Sequence, residues 1–144
     1  MSEPYVMIVD DEETFVQTMV KRLSKRGVQV ASALSGDAAL EYLKAHRNMD
    51  VIILDVKMPG KDGIATLQQI KADYPLLEVI MLTGHATVES AVEGMKYGAF
   101  DYLMKPCDID ELMNKVHQAA EKKKAHEEKI KEAAVKNALS SYGD

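Results

Sequence analysis

Four short apolar runs each stop on a residue with chemistry to offer, and that repeated ending constrains the fold more than anything else in the chain. Tyr5–Val9 stops on Asp10-Asp11-Glu12-Glu13, Val51–Leu54 on Asp55, Val79–Leu82 on Thr83, and Tyr102–Met104 on Lys105-Pro106. Runs this short and this uniformly apolar suit strands covered on both faces of a sheet. Behind Asp55, Met58-Pro59-Gly60 breaks any strand or helix into a loop. The intervening segments have helical spacing, which makes the strands parallel. Asp10, Asp11, Asp55, Thr83 and Lys105 then leave one sheet at one edge, the edge where α/β sheets bind ligands.

The same alternation runs through the whole chain. Phe15, Met19, Val20 and Leu23 recur at helical spacing up to Gly27, a stop in the left-handed region. Val28–Ala31 reads as a short, partly polar edge strand. Ser35 is placed to cap a helix carrying Ala38, Ala39, Leu40 and Leu43. After the Asp55 loop, Ile64, Leu67 and Ile70 share a helix face that closes at Tyr74-Pro75. Thr87 is placed to cap a helix through Ala91, Val92 and Met95 to Gly98, and Asp108 with Glu111 resembles a capping box. Right-handed crossovers leave few ways to connect such a chain. The expected fold is α/β, a flavodoxin-like (βα)5 doubly wound parallel sheet of strand order 2-1-3-4-5 with an extended C-terminal helix. In that order the first and third strands are neighbours at the switch point, which brings Asp10 and Asp11 beside Asp55.

With 144 residues, 47% of them hydrophobic, the chain has material for one domain and not two. No apolar run approaches the ~20 residues that span a bilayer, and no charged leader with an apolar core argues for export. The lone Cys107 excludes an internal disulfide framework and fits a reducing, cytoplasmic setting. A net charge of −5 argues against nucleic acid as a direct partner. The excess is concentrated in residues 1–120, where 18 acids face 12 basic residues.

The last helix is expected from Asp108 to about residue 137, or ~45 Å at ~1.5 Å per residue, longer than a small domain is wide. Residues 121–136 carry ten charged side chains of sixteen. Leu112, Val116, Ala119, Ile130 and Ala133 form a seam that Lys123 and His126 interrupt. The expected division is a domain over residues 4–120, a connector or dimer-forming helix over 121–139, and a disordered tail over 140–144. The competing view of 121–139 is a solvated, partly frayed tail.

Three carboxylates brought together must either hold protons or hold a cation, since two charges ~4 Å apart repel by ~4 kcal/mol at an effective dielectric of ~20. An incomplete shell of oxygens suits Mg²⁺. A carboxylate beside such a cation and a lysine makes a phosphoryl site: the oxygen attacks in line, and the positive charges neutralise the group in transfer. Thr83 could donate its hydroxyl to a phosphoryl oxygen.

Val9-Asp10-Asp11-Glu12, Leu54-Asp55-Val56-Lys57-Met58-Pro59 with Gly63, Leu82-Thr83-Gly84-His85-Ala86 and Gly98-Ala99-Phe100-Asp101-Tyr102-Leu103-Met104-Lys105-Pro106 stand in this order. Together they resemble a response-regulator receiver domain of two-component signalling, similar to the receivers of sigma-54-dependent activators, over residues 4 to about 120. The resemblance implies that Asp55 accepts a phosphoryl group from a histidine kinase or phosphotransfer protein. It implies Mg²⁺ on Asp11, Asp55 and the main-chain carbonyl of Lys57, with Asp10 assisting through water. It further implies that Lys105 pairs with the phosphoryl group, that the Lys105–Pro106 bond is cis, and that Thr83 and Tyr102 rearrange together. Such a protein is a signalling receiver that assists only its own phosphorylation and dephosphorylation, not an enzyme acting on others.

Other readings compete. A phosphorylation-independent docking module could keep the same fold. A haloacid-dehalogenase-type phosphohydrolase wants an Asp where Lys57 stands, and a flavodoxin wants hydroxyls and glycines where Asp10-Asp11-Glu12 would repel its phosphate. His85 could line the pocket mouth or be a plain loop histidine. The Lys57 side chain could tune phosphoryl lifetime or simply be solvated. Cys107 reads as a free thiol and the nine methionines as core filler. No Gly-rich nucleotide loop or helix-turn-helix follows residue 120, so the chain is expected either to stand alone or to be cut from a longer regulator. A homodimer is expected through the fourth helix, fifth strand and last helix, using Glu89, Glu93, Lys96, Tyr97, Asp101 and Lys115.

Overall fold

The computed structural model describes residues 3–58, 62–84 and 87–142. Strands β1 (Tyr5–Val9), β2 (Gln29–Ala33), β3 (Val51–Leu54), β4 (Glu78–Thr83) and β5 (Asp101–Met104) alternate with helices α1 (Glu13–Lys25), α2 (Gly36–Ala45), α3 (Gly63–Asp73), α4 (Val88–Lys96) and α5 (Ile109–Tyr142). The strands form one sheet in the order β2-β1-β3-β4-β5, with every pair parallel. This is the expected doubly wound topology.

Alternation along the central strands separates two cores. Met7, Ile52, Leu54, Val79 and Met81 point to the side covered by α2 and α3, where Leu43, Leu67 and Ile70 meet them. Ile8, Ile53, Ile80 and Leu82 point to the other side, against Val16, Met19 and Leu23 of α1 and Leu112 and Val116 of α5. All of these side chains are buried, and each contributes ~2 kcal/mol by leaving water. The punctuation also matches the residues: Ser35 accepts from the Ala38 amide, Thr87 from the Ser90 amide, and Gly27 and Gly98 take φ of +82° and +99°.

The structure differs from expectation in several places. The second strand begins at Gln29 rather than Val28 and runs to Ala33. In α4, Val92 and Met95 do not face the core: Gly94 is its one buried residue, and Val88, Val92 and Met95 are exposed. The helix approaches the sheet through that glycine, where a Cβ would lie 3.5 Å from Tyr102 and 3.6 Å from Met81, so its larger apolar residues turn outward. Finally, α5 continues to Tyr142 over 34 residues, so residues 140–142 are helical rather than a disordered tail. Nothing before Gly143 carries a helix-stopping signal. Gly143 and Asp144 lie outside the described residues.

Early α5 is buried through Leu112, Val116 and Ala119, and the helix then crosses the amino ends of the strands. Lys123 does not simply interrupt a seam there. It is 11% exposed, with its ammonium 3.1 Å from Asp50, while Lys122 lies 3.4 Å from buried Glu78. Beyond these contacts Ile130, Val135 and Leu139 are exposed, so the apolar seam does not extend past residue 119.

Candidate functional site

Asp10, Asp55 and Lys105 each stand one residue past a strand, and the sheet itself fixes them. The Asp10 amide donates to Ala33 of β2, the Asp55 amide to Val9 of β1, and the Lys105 amide to Thr83 of β4, at 2.9–3.2 Å. Each is thus held by the last carbonyl of the neighbouring strand, and all three emerge at the carboxyl edge. On the other side of Asp55 the chain folds back tightly. The Gly63 amide donates to the Val56 carbonyl at 2.7 Å, and a Cβ on Gly63 would fall 2.1 Å from the Asp55 carbonyl oxygen. Only glycine fits that approach.

Carboxylate oxygens of Asp10, Asp11 and Asp55 lie within 4.8 Å of one another, the expected cluster. Asp10 and Asp55 are buried and Asp11 is exposed. The Asp10 Oδ1 accepts from the Glu12 amide at 2.9 Å and its Oδ2 from Lys105 Nζ at 2.7 Å. Lys105 Nζ also lies 3.5 Å from Glu12 and 3.8 Å from Asp55 Oδ2. Asp55 Oδ1 is the one buried side-chain oxygen or nitrogen among the described residues with no hydrogen-bond partner.

The charges do not balance. Burial pushes the Asp10 carboxyl above its ordinary value, and the Asp55 charge adds to this against the Lys105 and Glu12 hydrogen bonds. Burial works to lower Lys105, but the hydrogen bond and charge of Asp10, with the charges of Asp55 and Glu12, outweigh it and raise the ammonium's pKa. Lys105 therefore stays charged, and one ammonium does not neutralise the acids around it. This donor set fits a divalent cation. It is all oxygen and acid-rich, and it contains a buried, unpartnered oxygen on Asp55.

Thr83 is fully buried at the end of β4, one strand from Asp55. Tyr102 lies on β5 opposite Met81, with its hydroxyl 2.6 Å from Ser90 of α4. Lys57 is two residues past Asp55 with an exposed side chain. The Lys105–Pro106 peptide is cis, as expected. His85 lies outside the described residues. Cys107 is a free thiol whose pKa is raised by burial and by the charges of Glu111 and Asp108, which fits an unreactive side chain.

Two contacts were not legible beforehand. Phe15 packs half-buried against the core as its periodicity predicts, and its ring also stacks under Lys105 with Nζ 4.0 Å from the centroid. Ser90, the third residue of α4, gives no sequence signal beyond helix capping.

A strand-end acid cluster with one lysine, on a five-stranded sheet of this order, defines a class: a two-component receiver. A family model for the response regulator receiver domain matches residues 6–117, and the chain belongs to that family. It is 40% identical over 119 residues to the DNA-binding transcriptional regulator NtrC of Escherichia coli strain K12, covering 83% of this chain and 25% of NtrC. The chain thus spans about a quarter of the length of the curated relatives it matches. Among solved structures, a response regulator receiver domain protein from Clostridium thermocellum superposes with a TM-score of 0.81 at 35% identity, covering 85% of this chain and 98% of that one. The receiver domain of NtrX from Brucella abortus gives 0.75 at 33%, covering 81% and 98%. Among the described residues no helix is long and apolar enough to cross a membrane.

Proposed function

We propose that this chain is a phosphorylation-activated receiver in which Asp55 takes a phosphoryl group from a histidine kinase or phosphotransfer protein. The observation that carries this reading is Asp55 itself. A carboxylate that is 3% exposed keeps one oxygen without a partner while standing beside a lysine and two further acids. A purely structural acid would have its hydrogen bonds filled. An Asp55 oxygen attacks phosphorus in line as the bond to the donor nitrogen breaks, and the Lys105 ammonium faces the charge that collects on the phosphoryl oxygens. Mg²⁺ would be held by Asp11, Asp55 and the main-chain carbonyl of Lys57, with Asp10 assisting through water. When bound, it would neutralise the charge on the transferring group. The Thr83 hydroxyl then turns toward a phosphoryl oxygen, and Tyr102 follows into the volume it leaves.

The readout we propose is a change in contacts on the face made by α4, β5 and α5, including a homodimer. That face has the expected exposed Glu89, Glu93 and Lys96, but Asp101 and Lys115 already pair with each other at 2.9 Å within one chain. Exposed Val88, Val92, Met95 and Met104 give it an apolar component in their place. In this reading residues 4–120 are the receiver unit, and 121–139 of α5 are a connector that lengthens the contact. Sedimentation with beryllofluoride, a phosphoryl mimic, should raise the mass of the full chain, and less so for a version ending at Ala120.

The phosphoryl reading itself is tested with acetyl phosphate and Mg²⁺. The wild type should gain one base-labile phosphoryl group, and Asp55→Asn should gain none. Labelling of Asp55→Asn at the wild-type rate would falsify it.

A further inference from the structure

The hydroxyl of Ser90 is the meeting point of two structures that the phosphoryl switch must treat differently. On one side it belongs to the start of α4, where Ser90 Oγ lies 3.1 Å from both the carbonyl oxygen and the amide of Thr87, and the Ser90 amide donates back to Thr87 Oγ1 at 3.0 Å. On the other side it lies 2.6 Å from the Tyr102 hydroxyl. The Thr87 carbonyl can only accept, so the single Ser90 proton goes there. The Tyr102 hydroxyl is left as the donor to Ser90.

We propose that Ser90 is a positioning residue, a latch that holds Tyr102 against α4 and opposes its movement toward Thr83. The inference rests on the phosphoryl reading above, in which Tyr102 follows Thr83. Strand register sets the direction of that movement. Met81 pairs with Tyr102 and Thr83 with Met104, so Thr83 lies diagonally ahead of Tyr102 on the same sheet face. Gly94 packs over both strands, with the Tyr102 ring 3.5 Å and Met81 3.6 Å from where its Cβ would be. In the proposed movement Tyr102 gives up its bond to Ser90 to reach the Thr83 side.

The latch can open without uncapping the helix. Thr87 Oγ1 lies 3.0 Å from Ser90 Oγ and carries a proton of its own. When Tyr102 leaves, the Thr87 hydroxyl and amide, which already donate to Ser90 Oγ, still do so. The switch removes one donor from a single oxygen, and the capping contacts of α4 persist in both states.

Loss of one neutral hydrogen bond that exists only before switching should favour the switched state by about fivefold. Beryllofluoride affinity of the full chain in Mg²⁺ reads that state. Ser90→Ala should bind about fivefold more tightly, and Ser90→Thr, which keeps the hydroxyl, should return to wild type. In a Tyr102→Phe background the Ser90→Ala gain should vanish, because the bond is already absent. Thr87→Ala, which breaks the cap from the other side, should not reproduce it. Equal affinity of Ser90→Ala and wild type, a gain that persists without the Tyr102 hydroxyl, or the same gain from Thr87→Ala overturns the latch. A wild type that binds no beryllofluoride overturns the phosphoryl reading, and the latch with it.

Discussion

The two ends of the sheet carry the same kinds of residue and treat them in opposite ways. At the amino end, buried Glu78 sits between Lys71 and Lys122, each at 3.4 Å, and Asp50 is met by Lys123 at 3.1 Å and by the Tyr5 amide at 2.8 Å. At the carboxyl end, Asp10, Asp55 and Glu12 share Lys105, the one ammonium within 4 Å of them among the described residues. Balanced acids hold elements together, here by fastening α5 under the sheet. Unbalanced acids, one of them with an unpartnered oxygen, are a place for charge to arrive. The contrast separates the carboxylates that fasten the fold from those proposed to react, without reference to sequence motifs.

Neutralising an acid should therefore have opposite signs at the two ends. Glu78→Gln leaves Lys71 and Lys122 facing an amide at a buried position, and should cost about 2 kcal/mol. That is less than for a fully enclosed pair, because the lysine heads reach water. Urea unfolding measures it, and a variant as stable as wild type would dissolve the contrast. At the other end, Asp11→Asn removes repulsion, and should raise metal-free stability by about 1 kcal/mol while weakening Mg²⁺ binding. A less stable Asp11→Asn protein would mean that the cluster is already balanced.

The smallest effect is a pH dependence confined to the carboxyl end. The folded protein holds the Asp10 proton more tightly than the unfolded chain does, because the carboxyl is raised above 3.8. Its contribution is complete below that value and is lost as pH rises through the raised folded value. Metal-free wild type should lose this increment as pH rises above about 4. Asp10→Asn should show a flatter profile over the same range, and parallel profiles would remove Asp10 as the cause.

The sheet order and the gathering of Asp10, Asp11, Asp55, Thr83 and Lys105 were legible because both follow from where short apolar runs stop. The outward turn of α4 was not. Val92 and Met95 have the spacing of a core face, and only the contact of Gly94 with Tyr102 decides which face of the helix approaches the sheet. Phe15 under Lys105 and Ser90 beside Tyr102 were hidden for a related reason. Each partner lies on a distant element, and a ring or hydroxyl on a helix has an ordinary local role that accounts for it. Lys123 looked like a flaw in an apolar seam because the acid it meets, Asp50, is 73 residues away.

The fastening of α5 at Lys122 and Lys123 turns its far half into a lever. From residue 124 to 142 the helix projects ~28 Å at ~1.5 Å per residue. A tilt of ~10° at the fulcrum would carry the tip ~5 Å, and each residue added to the shaft would turn it by ~100°. Anything held at the tip would be aimed by the domain, and its bearing would depend on the number of residues in between as much as on their identity.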